Sequence, residues 1–158
     1  MVILALDPAT KCGWAIGENQ RFGSGTWDLS VKRDESGGMR LFRLRAKLEE
    51  LRHLSTGGIQ FVAYEAARHG APEMQGALVV QAEIQGVLKL WCQDCGIEFK
   101  GYSPSEIKKR ATGKGNAPKS LVMKAAKARW PEFGITDDNE ADALWLWDLA
   151  MSEYGVKV

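Results

Sequence analysis

The stretch VILALDPATKCGWAIG, residues 2–17, decides the fold. Residues 2–7 and 12–17 are apolar runs that predict two short strands, and the Asp-Pro-Ala-Thr-Lys segment between them predicts a tight turn. A third, more polar strand is predicted near residues 21–28. Three successive short strands indicate an antiparallel meander, and Asp7 stands where its first and most apolar strand ends.

Helices and strands alternate along the rest of the chain. Leucines at every third or fourth position predict a helix from Met39 to about Leu54. The nearly continuous apolar run IQFVAYE, residues 59–65, predicts a buried strand with parallel neighbours. The other predicted elements are a long helix over about 72–94, a strand over 97–102, and helices that begin near 103, 118 and 138. We expect one α/β domain over residues 1–158, with a mixed five-stranded sheet flanked by helices.

Two helix starts are marked by capping residues. Ser103 is a predicted N-cap, followed by Pro104 in the first turn and by Glu106, which completes a capping box. Asp137 and Glu140 fit the same pattern at the start of the last helix. Both assignments leave these acidic residues with structural rather than catalytic tasks.

Composition narrows the class of protein. No apolar run approaches the ~18–20 residues of a membrane span, and the N-terminal apolar stretch is too short for a signal peptide. We therefore expect a cytoplasmic protein with no membrane contact. We also expect no small-molecule cofactor. Cys92 and Cys95 form a lone C-x-x-C pair, which we interpret as two small residues on a buried helix, because a closed zinc site needs four ligands.

Charge is unevenly distributed. The whole chain has a formal net charge of +1, but residues 100–129 hold nine basic residues and one acidic residue, a local net charge of +8. The remainder therefore has a net charge of −7. A basic third in a nearly neutral protein indicates a localised surface for a polyanion.

Carboxylates end the two most buried strands. Asp7 follows VILAL and Glu65 follows IQFVAY. Ligand sites in open α/β sheets form beyond the carboxyl ends of the strands, so the two carboxylates meet if these strands are neighbours. Asp142 lies on the apolar stripe of the last helix, and Asn139 lies one turn earlier on the same face.

Three converging carboxylates repel one another unless a cation lies between them. Hard divalent cations prefer oxygen ligands, so Mg²⁺ or Mn²⁺ is the natural occupant, with the amide oxygen of Asn139 as a further ligand. Two such ions, ~3.5–4 Å apart, support phosphodiester cleavage. For each acid alone, a turn, a solvated strand end or a buried ion pair is the alternative interpretation.

Four stretches join these features: LALDPATKCGWA, FVAYEAA, GYSPSEIKKRATGKGNAPK and NEADALWLWDLA. In this order they resemble the RuvC-like Holliday junction resolvases of the RNase H-like (retroviral integrase-like) superfamily, over nearly the whole chain. The resemblance implies an RNase H-like fold and a metal-dependent homodimeric endonuclease of DNA recombination and repair. Each subunit would nick one strand of a four-way junction and leave 5′-phosphate and 3′-hydroxyl ends. The compact chain looks like the phage-borne branch, which implies the host cytoplasm.

The resemblance also assigns residues. Asp7, Glu65 and Asp142 would hold two metal ions per subunit, and Asn139 stands where the family has Asp or His, which leaves a weaker ligand. Lys119 matches the lysine of the segment G-x-G-x-x-x-K and would neutralise the scissile phosphate. The expected contacts with the DNA backbone come from Lys108, Lys109, Arg110 and Lys114. Arg68 follows Glu65 where some members carry an aromatic wedge.

A homodimer is also expected from the long helix over about 72–94. It is apolar on more than one side, and its small residues would permit close approach of a partner helix. These small residues are Gly76, Ala77, Ala82 and Gly86.

Three other functions are compatible with parts of the pattern. A nuclease of the same fold with a broader substrate specificity for branched DNA would have the same site. A junction-binding protein without activity is favoured by Asn139 and opposed by the three intact acids. A sugar kinase or actin-like ATPase is disfavoured, because Ala9 replaces a phosphate-loop glycine and the chain is too short for two such domains.

Overall fold

A five-stranded mixed sheet organises the computed structural model, which describes residues 1–19, 21–66 and 75–155. The sheet order is β3-β2-β1-β4-β5. The three strands of the N-terminal meander pair antiparallel, and β4 and β5 add parallel to β1. The strands are β1 (Ile3–Asp7), β2 (Lys11–Glu18), β3 (Arg21–Asp28), β4 (Phe61–Glu65) and β5 (Glu98–Tyr102). This arrangement confirms the predicted fold class.

In the described parts of the chain, five α-helices cover the two faces of the sheet. They are α1 (Gly38–Leu54), α2 (Gln75–Cys95), α3 (Pro104–Thr112), α4 (Lys119–Arg129) and α5 (Asp138–Tyr154), with a 3-10 turn over Pro131–Phe133. The predicted start of α2 near residue 72 lies outside the described residues. Within the described parts of the chain, no helix is both long and apolar enough to cross a membrane.

The two faces of the sheet hold separate cores. Alternate residues of a strand point to opposite faces, so Ile3 and Ala5 pack with α3, α4 and α5, whereas Leu4 and Leu6 pack with α1 and α2. Asp7 continues the first series and faces α5. Cys92 is buried and Cys95 half-buried, and both lie on α2, the helix on which the sequence analysis placed them.

The capping box at α3 forms as predicted. Ser103 accepts a hydrogen bond from the Glu106 amide, and the Glu106 side chain accepts one from the Ser103 amide. Two otherwise unpaired amides are thereby satisfied, and α3 starts immediately after β5.

The start of α5 differs in part from the prediction. Asp137 caps the helix by accepting hydrogen bonds from the Asn139 and Glu140 amides. The prediction of a capping box is wrong, because the Glu140 carboxylate instead accepts a hydrogen bond from the hydroxyl of Ser24 on β3, at 3.1 Å. This hydrogen bond attaches the N-terminus of α5 to the sheet. It competes with the bond that the Glu140 side chain would otherwise make to the first turn of its own helix.

Gly13 permits a close approach between α5 and the sheet. It lies on β2, paired with Asp7 of β1. A Cβ at Gly13 would overlap the main-chain carbonyl of Asn139. The missing side chain therefore lets the first turn of α5 lie directly beside the end of β1.

We predict that Gly13→Ala lowers the free energy of unfolding by about 3 kcal/mol, because a carbonyl on a helix tied to the sheet cannot yield as a flexible side chain would. Urea unfolding measures the change. Gly23→Ala on β3 is the matched control, since its Cβ would meet only ring carbons of Trp14 at 3.8 Å. Equal stability of the two variants would contradict the predicted overlap.

Candidate active site

Two carboxylates lie side by side at the end of the sheet. β1 and β4 are parallel neighbours in a register that pairs Leu6 with Tyr64. The next residues are Asp7 and Glu65, and the carboxyl group of Glu65 is near enough to that of Asp7 to raise its pKa. Two carboxylates so close together repel each other unless a proton or a cation lies between them.

The last helix brings a third carboxylate and an amide to the same place. Asp142 and Asn139 of α5 line one cavity of about 230 Å³ together with Asp7 and Glu65. The structure thus brings together the four side chains that the sequence suggested as metal ligands. The other residues that line the cavity are Ala9, Gln81, Pro104, Ile107, Lys108, Lys119 and Val122.

Burial and like charge raise the pKa values of two of these acids. The pKa of Asp7, which is 6% exposed, lies well above its usual range, first because of burial and then because of Glu65 and Asp142. Burial and the charge of Glu65 raise the pKa of Asp142 to about 7. Both carboxyl groups are therefore less readily ionised than an exposed aspartate, and a cation bound between them would favour their ionised forms.

Lys119 is the cation that acts on both acids. Lys119 is the first residue of α4, and its positive charge opposes the upward shifts in the pKa values of Asp7 and Asp142. Its Nζ lies 3.2 Å from Oδ2 of Asp138, and this contact is the main reason why the pKa of Lys119 is raised. The ammonium group is largely exposed, so it stands at the rim of the cavity rather than within it.

The donor set has the chemistry of a hard-cation site. Three carboxylates and one amide oxygen match the ligands that Mg²⁺ and Mn²⁺ prefer. Among residues 1–19, 21–66 and 75–155, no three His, Cys, Asp or Glu side chains are already assembled in coordination geometry.

The basic residues proposed for DNA are distributed around the cavity. Lys108 lines it, while Lys109 and Lys114 are exposed outside it. Arg110 forms an ion pair with Asp148 at 2.6 Å, so its guanidinium is already engaged within the protein. Arg68 lies outside the described residues, and its contact with DNA stays a prediction.

Two glutamines of α2 were missed by the sequence analysis. Gln81 lines the cavity, and Gln85 donates from Nε2 to the main-chain carbonyl of Glu65 at 3.2 Å. A usable signal was present, because the pair is spaced by four residues on the side of α2 that also bears Ile84 and Leu88. Amides on an otherwise buried helix face indicate specific hydrogen-bond partners.

Comparison with known families matches almost the whole chain. The family model described as "Crossover junction endodeoxyribonuclease RuvC" matches residues 3–144. A protein of that name from Brachyspira hyodysenteriae is 28% identical over 152 residues, 91% of this chain and 89% of its own length. One from Sphingopyxis alaskensis is 28% identical over 154 residues, 91% of this chain and 92% of its own length. These relatives are proteins of cellular bacteria and do not support the expected link to the phage-borne branch.

Solved structures share the fold. Thermus thermophilus RuvC, in a structure described as a complex with a Holliday junction substrate, superimposes with a TM-score of 0.68 at 20% identity, covering 92% of this chain and 90% of that one. The yeast mitochondrial Holliday junction resolvase Ydc2 gives a TM-score of 0.59 at 11% identity, covering 96% and 80%. With the family model matched from the first strand into the last helix, the chain belongs to the crossover junction endodeoxyribonuclease RuvC family.

Proposed function

We propose that this chain is a metal-dependent endodeoxyribonuclease that resolves four-way DNA junctions during recombination and repair. The observation that carries this proposal is the convergence of Asp7, Glu65, Asp142 and Asn139 in one cavity of a RuvC-family fold. The junction substrate is supported by the relative of the same fold that is described with a Holliday junction. The proposed products are paired, symmetric nicks with 5′-phosphate and 3′-hydroxyl ends.

Two Mg²⁺ or Mn²⁺ ions per subunit are the proposed cofactors. Asp7, Glu65 and Asp142 would hold them, with the amide oxygen of Asn139 as a neutral ligand. Such ions, when bound, lower the pKa of a water nucleophile and stabilise the leaving oxygen of a phosphodiester. The raised pKa values of Asp7 and Asp142 support this assignment, because buried carboxyl groups close to other acids are stabilised as anions by a bound cation.

The protein itself contributes a rigid arrangement of the proposed ligands and a cavity wall that is partly apolar. Strands β1 and β4 fix the directions of Asp7 and Glu65, and helix α5 fixes Asp142 through its close approach at Gly13. Ile107 and Val122 form apolar parts of the cavity wall. Electrostatic interactions are stronger where such walls reduce the access of water.

Basic residues have two proposed tasks. Lys119 neutralises the scissile phosphate at the rim of the cavity, where its ammonium is exposed. The backbone of the DNA arms is held without regard to sequence by Arg68, Lys108, Lys109, Arg110 and Lys114. For Arg110 to contact phosphate, its ion pair with Asp148 has to be shared or broken.

The proposed assembly is a homodimer of single-domain subunits that each comprise residues 1–158 and act in the cytoplasm. Resolution by paired nicks needs two active sites, one for each strand. The surface of α2 supports a dimer, because its small residues are all exposed in the single chain. These residues are Gly76, Ala77, Ala82 and Gly86.

A non-catalytic junction-binding protein is the second candidate, and Asn139 favours it because a neutral ligand weakens a metal site. A test of substrate and cleavage separates the two functions. The purified protein is incubated with labelled four-way junction, replication fork and linear duplex, each with Mg²⁺, Mn²⁺ or EDTA. Symmetric, metal-dependent nicks in the junction alone support a resolvase. Cleavage of every branched substrate indicates a broader nuclease, and binding without cleavage indicates the binder.

Removal of single carboxylates is predicted to abolish cleavage but not binding. Asp7→Asn, Glu65→Gln and Asp142→Asn should each lower the cleavage rate by more than about 100-fold, since even outer-shell changes at metal sites cost 10- to 100-fold. Junction binding in Ca²⁺ or EDTA, measured by gel shift, should persist. Asp34→Asn, in an exposed loop, is the matched control. Full cleavage by any of the three variants would exclude that residue as a required ligand.

Lys119 is predicted to act on the rate of cleavage rather than on folding. Lys119→Met should lower the single-turnover rate on bound junction by about 100-fold, the usual cost of one transition-state charge partner. Lys127→Met, on the exposed face of the same helix, should cleave at the wild-type rate. An equal small effect of both variants would reduce Lys119 to a general phosphate contact.

The stability of the metal-free protein is predicted to fall as pH rises. The pKa of Asp142 is about 7 in the folded chain and ordinary in the unfolded chain, so the folded chain binds more protons between about pH 4 and 7. Stability is therefore lost as pH rises through this range. Metal-free Tm should be several degrees lower at pH 8 than at pH 5, and Mg²⁺ should raise it more at pH 8.

Calorimetry of Asp142→Asn provides the control for this prediction. The variant should show a smaller fall in metal-free Tm between pH 5 and 8, with the remaining fall due to Asp7. A wild-type protein that becomes more stable between these pH values, by the same amount as the variant, would contradict the raised pKa of Asp142.

A further inference from the structure

Gln85 occupies an unusual position in the core. Of the polar side chains in the described ranges, only Asp7 and Gln85 are buried, with 6% and 8% exposure. Gln85 lies on α2 next to Ile84 and one turn before Leu88, and these two apolar side chains are fully buried. A buried amide lowers stability unless it is hydrogen-bonded, and Nε2 of Gln85 donates to the main-chain oxygen of Glu65 at 3.2 Å.

The hydrogen bonds of β4 show which way this oxygen points. The N–H of Phe61 donates to Val2 on the side of β1, and the N–H of Ala66 donates to Tyr102 on the side of β5. Because N–H and C=O of one strand residue point to the same side and neighbouring residues alternate, Glu65 faces β1, as Phe61 does.

Strand β1 has no N–H donor for the carbonyl of Glu65. In the register of β1 with β4, Leu6 pairs with Tyr64, so Asp7 is level with Glu65. A strand carbonyl in a parallel pair accepts from the residue that follows its partner, and the residue that follows Asp7 is Pro8. Proline has no N–H. The Glu65 carbonyl would therefore lack its sheet donor, and the Gln85 amide stands in for it.

We propose that Gln85 is a positioning residue that replaces the sheet donor missing at Pro8 and thereby fixes the Glu65 side chain. The Glu65–Ala66 peptide is held on both sides, by Gln85 at its carbonyl and by Tyr102 at its N–H. A fixed peptide limits the directions in which the Glu65 carboxylate enters the cavity. The effect on metal binding rests on the proposed function, whereas the effect on the peptide does not.

Gln85→Met tests the proposal, because methionine keeps the length of the side chain and removes the donor. The concentration of Mg²⁺ at half-maximal cleavage, and at half-maximal rise in Tm, should increase about tenfold, as for other residues that orient metal ligands. Gln93→Met, an exposed glutamine of the same helix, should leave both values unchanged. A lower metal-free Tm with an unchanged Mg²⁺ requirement would reduce Gln85 to a packing residue and overturn the proposal.

A second substitution tests the missing donor directly. Pro8→Ala restores an N–H at the position that faces the Glu65 carbonyl. The double variant Pro8→Ala/Gln85→Met should regain most of the Mg²⁺ affinity that Gln85→Met loses. A double variant as weak as Gln85→Met would show that Gln85 does not replace a sheet donor.

Hydrogen exchange of the Ala66 amide provides a readout that needs neither metal nor DNA. Its exchange rate should rise about tenfold in Gln85→Met, stay unchanged in Gln93→Met and recover in the double variant. Faster exchange in a protein whose wild type cleaves no junction would sustain this inference and reject the proposed function. Unchanged exchange in Gln85→Met, with normal cleavage by the wild type, would reject only the inference.

Discussion

The parallel pairing of β1 with β4 is the constraint on which the site depends. It sets Asp7 and Glu65 side by side at one end of the sheet, where burial makes two negative charges unfavourable. A proton or a cation between the two carboxyl groups would relieve this repulsion. The same arrangement that opposes ionisation in the metal-free chain is suited to a divalent cation, because the cation removes both the repulsion and the cost of burial. The fold thus holds the site in a state of unfavourable electrostatics that a metal would relieve.

The other elements of the site are arranged around this pair. α5 reaches it because Gly13 has no side chain and because Ser24 holds Glu140 at the N-terminus of the helix. The position of α5 buries Asp142 and brings it close to Glu65, and both effects raise the pKa of Asp142. Lys119, from α4, supplies the opposing charge from the rim. The site is therefore assembled by one strand pair and two helices rather than by a single local motif.

Much of this could be predicted from the sequence. Periodicity located the strands and helices, and strand ends with carboxylates indicated where Asp7 and Glu65 would meet. The sequence did not reveal contacts that depend on the packing of distant elements. The pairing of Glu140 with Ser24 replaced a local capping box, and Arg110 met Asp148 across two helices. Local patterns report which groups need partners, but the partner is chosen by the tertiary register, which one sequence does not specify.

Pro8 shows how a local residue and a distant one are linked by such a requirement. The Asp-Pro turn ends β1 and directs Asp7 to the cavity. Because proline has no N–H, the turn also removes the donor that the Glu65 carbonyl of β4 would otherwise have. A carbonyl left without a donor would lower stability, and the donor comes from Gln85 on α2. The exposed side of the same helix carries the small residues that would meet a second subunit. One helix therefore binds the peptide of a proposed metal ligand through its buried side and carries the proposed dimer surface on its exposed side.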